Sequence, residues 1–351
     1  MYKITAYTED GEAIAFEASA TEDLITSALK RDVILLSSCR EGGCATCKAE
    51  CTDGDYELAN ASVQALPPNE EEDGFVLLCC TYPRSDMSLN LPYTSERISF
   101  GKVNTNWQGD IVRVETLSSN VARLVIRPLA PETGAPVRIG FVPGQYFDIE
   151  VPGTDVWRSY SMANEPEDAE LEFLIRLLPG GFFSDFLLNG AAPGLRLRLR
   201  GPSGIFGLRE NGLKPRYFVA GGTGLSPVLS MIRHMKTEGH PQETKLFLGV
   251  THGHELFYAK SLRELAASMP NLEVYISVMN GVPSPECTAG TVVDELAKHL
   301  KEAKHSPDVY LCGPPGMIDA TIAAAWKYGV PPGRVFYEKF VAAGGARAAA
   351  E

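Results

Sequence analysis

No stretch of the 351-residue chain approaches the roughly 18 consecutive apolar residues of a membrane-spanning helix. No membrane span is expected. Basic charge is scarce as well: 32 Lys and Arg stand against 44 Asp and Glu, a net charge of −12. Nucleic-acid binding needs a basic footprint, so it is not expected. Cysteine is limited to eight residues, four of which fall in one metal-ligand pattern, so a disulfide framework is not expected and the cytosol is. Met1-Tyr2-Lys3-Ile4-Thr5-Ala6-Tyr7 alternates like a first strand and lacks the apolar core of a signal peptide. Together these absences point to the cytoplasm. What is present is ample for folding: 44% of residues are hydrophobic, and the length suits two or three domains. The acidity is uneven. Residues 1–98 hold seven Lys/Arg and 18 Asp/Glu, so almost all the net charge lies there. Its densest run, Glu70-Glu71-Glu72-Asp73, reads either as a solvated loop or as a patch that docks a basic partner.

That acidic segment also holds the chain's most specific pattern. Cys39, Cys44 and Cys47 stand at Cys-x4-Cys-x2-Cys spacing, and Cys79 follows Cys47 by 32 positions. This is the plant-type [2Fe–2S] ligand set, in which each tetrahedral iron takes two thiolates besides the bridging sulfides. Gly42 and Gly43 let the loop wrap closely and aim backbone N–H groups at sulfur. A structural zinc site normally uses paired Cys-x2-4-Cys knuckles, and the fourth cysteine here has no partner knuckle. Buried free thiols are the other alternative. Cys80 follows Cys79 directly. Neighbouring strand residues point to opposite faces, so one of the two reaches the metal. The spacing of Cys79-Cys80-Thr81-Tyr82-Pro83 resembles the end of plant-type ferredoxins and selects Cys79.

The order of elements gives three domains. Residues 1–98 read as short strands, one helix around Glu22–Lys30 capped by Thr21, and the cysteine loop, resembling the β-grasp ferredoxin fold. Leu91-Pro92-Tyr93-Thr94-Ser95 reads as a linker. Residues 99–210 read as an antiparallel β-barrel, with strands at Leu124–Ile126, Tyr146–Val151, Leu171–Leu177 and Leu195–Leu199. Residues 211–341 alternate strand and helix, the pattern of a Rossmann-like parallel sheet. Residues 342–351 are expected to be a disordered tail.

Within the barrel, Arg158-Ser159-Tyr160-Ser161 supplies a guanidinium, a flat ring and a hydroxyl. Pro179-Gly180-Gly181-Phe182-Phe183-Ser184 then opens a helix, whose free N–H groups suit a phosphate. In the α/β segment, Gly221-Gly222-Thr223-Gly224 follows the first strand, where a nucleotide diphosphate sits in such folds. It is not a Gly-x-Gly-x-x-Gly turn. Its partner, Cys312-Gly313-Pro314-Pro315-Gly316, lies directly after a later strand.

These motifs together resemble the ferredoxin–NADP reductase superfamily. The resemblance implies that FAD is held by Arg158, Tyr160, Ser161, Gly181 and Ser184, with Arg158, Gly181 and Ser184 on the diphosphate and Ser161 near the redox-active nitrogen. Phe182 stands where relatives often carry a basic residue. It also implies that Gly221, Gly222, Thr223, Gly224, Cys312, Gly313 and Pro314 bind the pyridine nucleotide. Cys312, Glu338 and Phe340 would line the reacting rings, with Ser161. After the second strand, Thr251-His252-Gly253-His254-Glu255-Leu256-Phe257-Tyr258 contains no arginine for a 2′-phosphate, and Glu255 suits a ribose hydroxyl. NADH is therefore the expected donor.

Along essentially its full length the chain resembles the reductase components of soluble methane monooxygenase. The likeness is carried by Ser38-Cys39-Arg40-Glu41-Gly42-Gly43-Cys44-Ala45-Thr46-Cys47, Ser62-Val63-Gln64-Ala65-Leu66-Pro67-Pro68, Leu91-Pro92-Tyr93-Thr94 and Pro152-Gly153-Thr154-Asp155-Val156. It implies a monomer that passes electrons from NADH to a di-iron hydroxylase, with a separate regulatory protein modulating the exchange. The reductase of a phenol, toluene or benzoate oxygenase is the nearest alternative. A non-catalytic redox sensor or metal-binding module is a more distant one.

Overall fold

The computed structural model describes residues 1–37, 42–43, 45–63, 65–95, 98–100, 106–204, 206–209, 211–282 and 287–340. Contacts divide the chain into two compact units, one built on residues 1–104 and the other on 105–202 and 206–340.

The first unit is a five-stranded mixed sheet with a helix packed on it. Strands β1 (Tyr2–Tyr7) and β2 (Ala13–Ala18) form an antiparallel pair. Their alternation puts Ile4, Ala6, Ile14 and Phe16 into one core with Leu24, Ile25 and Ala28 of helix α1 (Leu24–Leu29). Asp23, not Thr21, caps α1, accepting the Thr26 N–H at 2.9 Å. Strand β3 (Val33–Ile34) follows, then β4 (Lys48–Asp53), β5 (Tyr56–Leu58), helix α2 (Pro68–Glu72), β6 (Phe75–Leu77), β7 (Thr81–Pro83) and β8 (Met87–Asn90). The sheet order is β2-β1-β8-β4-β6, with β8 parallel to β1. Strand β5 pairs with β7, and β3 with β9 (Ser99–Phe100).

Leu91–Ser95 is not a free linker. Leu91 N–H donates to Tyr7 O, Glu9 N–H donates to Tyr93 O, and Tyr93 is buried. Ser95 donates from both N–H and hydroxyl to the Asp10 carboxylate, at 2.8 and 2.6 Å.

The second unit holds a barrel and a parallel sheet. The barrel strands are β10 (Asn106–Ser118), β11 (Val121–Leu129), β12 (Tyr146–Glu150), β13 (Trp157–Ser161), β14 (Leu171–Arg176) and β15 (Arg196–Ser203). They run in the order β13-β12-β15-β10-β11-β14. A bridge between Met162 and Phe173, with Ala163 N–H donating to Glu172 O, joins the first strand of that order to the last. Helix α3 (Phe182–Asn189) leaves the barrel after β14 and seats Phe183 and Leu187 in its core.

The parallel sheet is β16 (Arg216–Gly221), β17 (Thr244–Val250), β18 (Leu272–Val278), β19 (Thr288–Ala289), β20 (Asp308–Gly313) and β21 (Val335–Lys339). Helices α4 (Leu225–Thr237), α5 (Ala259–Ser268), α6 (Val292–Glu302) and α7 (Pro315–Lys327) connect them. The order β19-β18-β17-β16-β20-β21 reverses direction at β16, and apolar clusters cover both faces. In such sheets a ligand sits outside the carboxyl ends of the strands at that reversal. No helix among the described residues is long and apolar enough to cross a membrane.

Candidate redox and nucleotide sites

Of the four expected iron ligands, Cys39 and Cys44 lie outside the described residues; Cys47 and Cys79 are described, and both are buried. Cys79 sits in a 3-10 turn, Leu78–Cys80, not in a strand. The opposite-face argument therefore does not separate the neighbours: the Cys79 and Cys80 sulfurs are 3.7 Å apart. The Cys79 sulfur is hydrogen-bonded by the Cys47 side chain and the Gly42 backbone. The Cys47 bond pulls the Cys79 thiol down, but hydrogen bonding with Cys80, burial and the Cys80 charge outweigh it and push the thiol up to about 12. A metal that binds there displaces that proton.

Gly42 has φ +73°, and a Cβ on it would lie 2.6 Å from both Asn60 O and the Cys80 sulfur. No side chain fits, so the Gly42 backbone packs tightly against the Cys79 and Cys80 sulfurs. Two buried thiols under a glycine loop are the donor chemistry that a [2Fe–2S] cluster requires, and they fit it.

In the barrel, β13 pairs with β12 so that Tyr146 opposes Ser161 and Ile149 opposes Arg158. The Tyr160 ring packs on Phe183 at 4.9 Å, and Phe183 on Phe186 at 5.6 Å. Strand and helix are thereby locked together, and the Arg158-x-Tyr160-Ser161 motif meets the Gly181 turn. Burial raises the Tyr160 hydroxyl far above its ordinary range, against the pull of Arg158, so the ring stays neutral. Ser184 does not hold its oxygen free: it accepts the Leu178 N–H at 2.8 Å and closes the turn. Its O–H remains a donor for phosphate. Gly181, the α3 N-cap, leaves the first N–H groups of the helix open to an anion. A guanidinium, a half-buried ring and this turn fit an FAD. Trp157, with Arg200 stacked at 3.8 Å and Arg198 at 5.5 Å, adds a basic flank beside Arg158. The alternation Arg196-x-Arg198-x-Arg200 was the available signal for it.

The two glycine-bearing turns of the α/β half meet at the switch point. Strands β16 and β20 run parallel and adjacent, Ala220 opposite Cys312. A Cβ on Gly224 would lie 2.1 Å from Cys312 O, and one on Gly221 2.7 Å from the Pro314 ring and the Met317 sulfur. Gly313, at φ +152°, comes within 3.0 Å of the Gly221 backbone in the same test. Gly222, at φ +53°, faces open space, and Thr223 is nearly buried. This is a cradle for a nucleotide diphosphate, and it fits NAD. On the next strand, Glu338 pairs with Cys312 in register, and Phe340 N–H donates to Gly313 O at 2.8 Å. Cys312, Glu338 and Phe340 thus converge beside the cradle. Burial, then the nearby Glu338 charge, raises the Cys312 thiol well above its ordinary range.

Glu255, expected on a ribose hydroxyl, is employed otherwise. One carboxylate oxygen accepts the Thr251 and His252 N–H groups at 3.0 and 3.1 Å; the other accepts the Asn120 side-chain amide at 2.9 Å. It caps its own turn.

Helix α4 joins the two halves, a role not read from the sequence. Ser230 donates to Asn164 O at 2.6 Å, Arg233 to Ala163 O at 2.7 Å, and Thr237 to Glu165 at 2.5 Å. Spacings of three and four residues put these groups on one helical face. Glu172 of β14 is the buried centre of the same interface. It receives Tyr258 at 2.5 Å, Arg123 at 3.2 Å and Arg233 at 3.3 Å. Burial alone would raise its carboxyl, but Arg233, Tyr258 and Arg123 hold it below the ordinary value.

Family models match three stretches. Residues 7–84 match a 2Fe-2S iron-sulfur cluster binding domain, 108–207 an oxidoreductase FAD-binding domain, and 218–322 an oxidoreductase NAD-binding domain. Methane monooxygenase component C of Methylosinus trichosporium is 52% identical over 86% of this chain and 87% of its own length. The reductase component of propane 2-monooxygenase from Mycolicibacterium goodii is 32% identical over 93% and 94%. The toluate 1,2-dioxygenase electron transfer component of Pseudomonas putida is 34% identical over 97% and 99%. Among solved structures, an Amycolatopsis cytochrome P450 reductase superposes with a TM-score of 0.78 at 26% identity, covering 96% of this chain and 98% of its own. The ferredoxin reductase in carbazole 1,9a-dioxygenase gives 0.69 at 25% identity, covering 97% and 99%.

Proposed function

The chain belongs to the family of methane monooxygenase component C and the related reductase components of multicomponent oxygenases. From that premise we propose that it carries electrons from NADH through FAD and a [2Fe–2S] cluster to the di-iron hydroxylase of a soluble methane monooxygenase. The observation that carries this reading is the presence of three matched domains in one chain that is 52% identical to methane monooxygenase component C over 86% of its length.

The chemistry needs a converter, because NADH delivers an electron pair and an iron–sulfur cluster takes one electron at a time; bound FAD supplies that conversion. The chain's own residues do the placing. Gly221, Gly222, Thr223, Gly224, Gly313 and Pro314 would receive the dinucleotide, the four glycines among them lacking side chains and so letting its diphosphate approach the backbone. Arg158, Gly181 and Ser184 would hold the flavin diphosphate, with Tyr160 against its ring and the Ser161 hydroxyl as a partner beside it. Cys312 offers a neutral, compact side chain beside the nicotinamide, and Glu338 and Phe340 close that face. Cys39, Cys44, Cys47 and Cys79 hold the cluster.

The acidic run Glu70–Asp73 suits docking to a basic partner surface. Glu70 is paired with Lys48, while Glu71, Glu72 and Asp73 are exposed. On this reading the protein works in the cytoplasm as a monomer, and a regulatory protein competes for or modulates its place on the hydroxylase.

The test is to offer the NADH-reduced protein, without oxygen, the purified oxygenase components of methane, propane and phenol monooxygenases and of toluate dioxygenase. Fastest reduction of the methane hydroxylase is expected. Faster reduction of another component reassigns the substrate, and reduction of none removes the reductase reading.

A further inference from the structure

The turn after β17, where a dinucleotide's adenosine ribose lies in sheets of this kind, is tied to the flavin barrel at both of its ends. At one end, Asn120, between β10 and β11, donates to Glu255 Oε1 at 2.9 Å, and Ser119 N–H donates to His254 O at 3.2 Å. The amide is oriented, since Asn120 Oδ1 lies 3.3 Å from the Ser118 hydroxyl and leaves Nδ2 as the donor to the carboxylate. Its backbone is also fixed: Asn120 O accepts the Leu177 N–H at 2.8 Å. At the other end, Tyr258 takes the left-handed conformation at φ +59° and donates to Glu172 of β14. Glu255 Oε2 also gathers the Thr251 and His252 N–H groups and so shapes the turn. Glu255 is a single carboxylate that joins the turn's backbone to the barrel.

We propose that Asn120, a residue of the flavin barrel, is a positioning residue for the pyridine nucleotide, acting through Glu255 on the turn that receives its adenosine end. The barrel then does more than hold FAD: it sets the shape of the pocket for the other nucleotide. This inference rests on the NADH reading above and adds a residue to it from outside the nucleotide-binding half.

The experiment uses the protein loaded with FAD and cluster. ADP-ribose, which keeps the adenosine end and lacks the nicotinamide, is titrated calorimetrically. Asn120→Ala is expected to raise its dissociation constant about tenfold or more, as loss of a hydrogen bond to a charged group does. The limiting rate of flavin reduction at saturating NADH is expected to stay within about twofold, since a change in ground-state binding alone moves KM and spares kcat. Asn120→Asp sets two carboxylates face to face and weakens binding further. Adding Glu255→Gln to it restores binding, because an amide then donates where a carboxylate accepted and still receives the two backbone N–H groups. Should Asn120→Ala fail to retain FAD, the Asn120→Asp and Glu255→Gln pair decides the matter. Unchanged ADP-ribose binding in the single variants, or no rescue in the double one, overturns the proposal. A wild-type protein that does not bind ADP-ribose overturns the nucleotide reading itself.

Discussion

Cys79 and Cys80 sit side by side in one 3-10 turn, and the choice of ligand between them rests on spacing. Spacing to Pro83 selects Cys79, and the structure places that sulfur against Cys47 and Gly42. The argument from strand alternation does not hold, because a single 3-10 turn replaces the strand there. Alternation is a property of extended backbone only. Cys79→Ser is expected to abolish the iron–sulfur absorption while NADH still bleaches the flavin, whereas Cys80→Ser keeps the cluster. A cluster retained in Cys79→Ser and lost in Cys80→Ser would move the ligand by one residue. Gly224 supports a second expectation. Its Cβ would meet Cys312 O at 2.1 Å, a backbone atom that cannot swing away. Gly224→Ala should cost about 1–3 kcal/mol of stability, as overpacking does, and weaken NADH binding. Thermal unfolding and a nucleotide titration check both. The roles of Gly221 and Gly313 were legible as paired turns, while Glu255 was not: a carboxylate beside a nucleotide turn looks the same in sequence whether it faces ligand or backbone.

At the scale of elements the sequence was most legible where periodicity is strong. The alternation of strand and helix expected over residues 211–341 is found in strand Leu272–Val278 and helices α4 to α7, because parallel-sheet strands are continuous apolar runs between amphipathic helices. The segment 91–95 was misread because proline signals a break in pairing and says nothing of side-chain ties. Ser95 and Thr8 bind Asp10 and, with the Ser95 N–H, lower its carboxyl to about 2 from 3.8. A depressed carboxyl stabilises the fold above its unfolded value, and that stability fades as pH falls from 3.8 to about 2. Asp10→Asn should flatten acid unfolding of the first unit over that window. The α4 stripe of Ser230, Arg233 and Thr237 escaped notice because polar residues on a helix normally mark the solvated face. Here they mark an interface. Glu172 is its centre, and Glu172→Ala would strand Arg123 and Arg233 partly buried without their partner. A loss of about 3 kcal/mol is expected, measured by denaturant unfolding of the FAD-loaded protein.

The whole molecule divides its labour between its two units. The matched 2Fe-2S domain lies in the first, together with nearly all the net negative charge; the matched FAD-binding and NAD-binding domains lie in the second, whose charges nearly balance. Cluster, barrel and parallel sheet were legible from spacing and element order. The joining of barrel and sheet was not, since it is made by single hydrogen bonds between residues far apart in the chain. If the acidic unit finds a basic partner by long-range attraction, reduction of the hydroxylase should slow as salt rises, through the association rate. Rates that do not change with salt would return Glu70–Asp73 to a solvated helix. The proposed order of transfer, flavin before cluster, is read by anaerobic stopped-flow absorption after mixing with NADH. The flavin band should bleach first and the iron–sulfur band after it, with the second phase absent in Cys79→Ser. Bleaching of the iron–sulfur band ahead of the flavin, or of neither, would contradict the account.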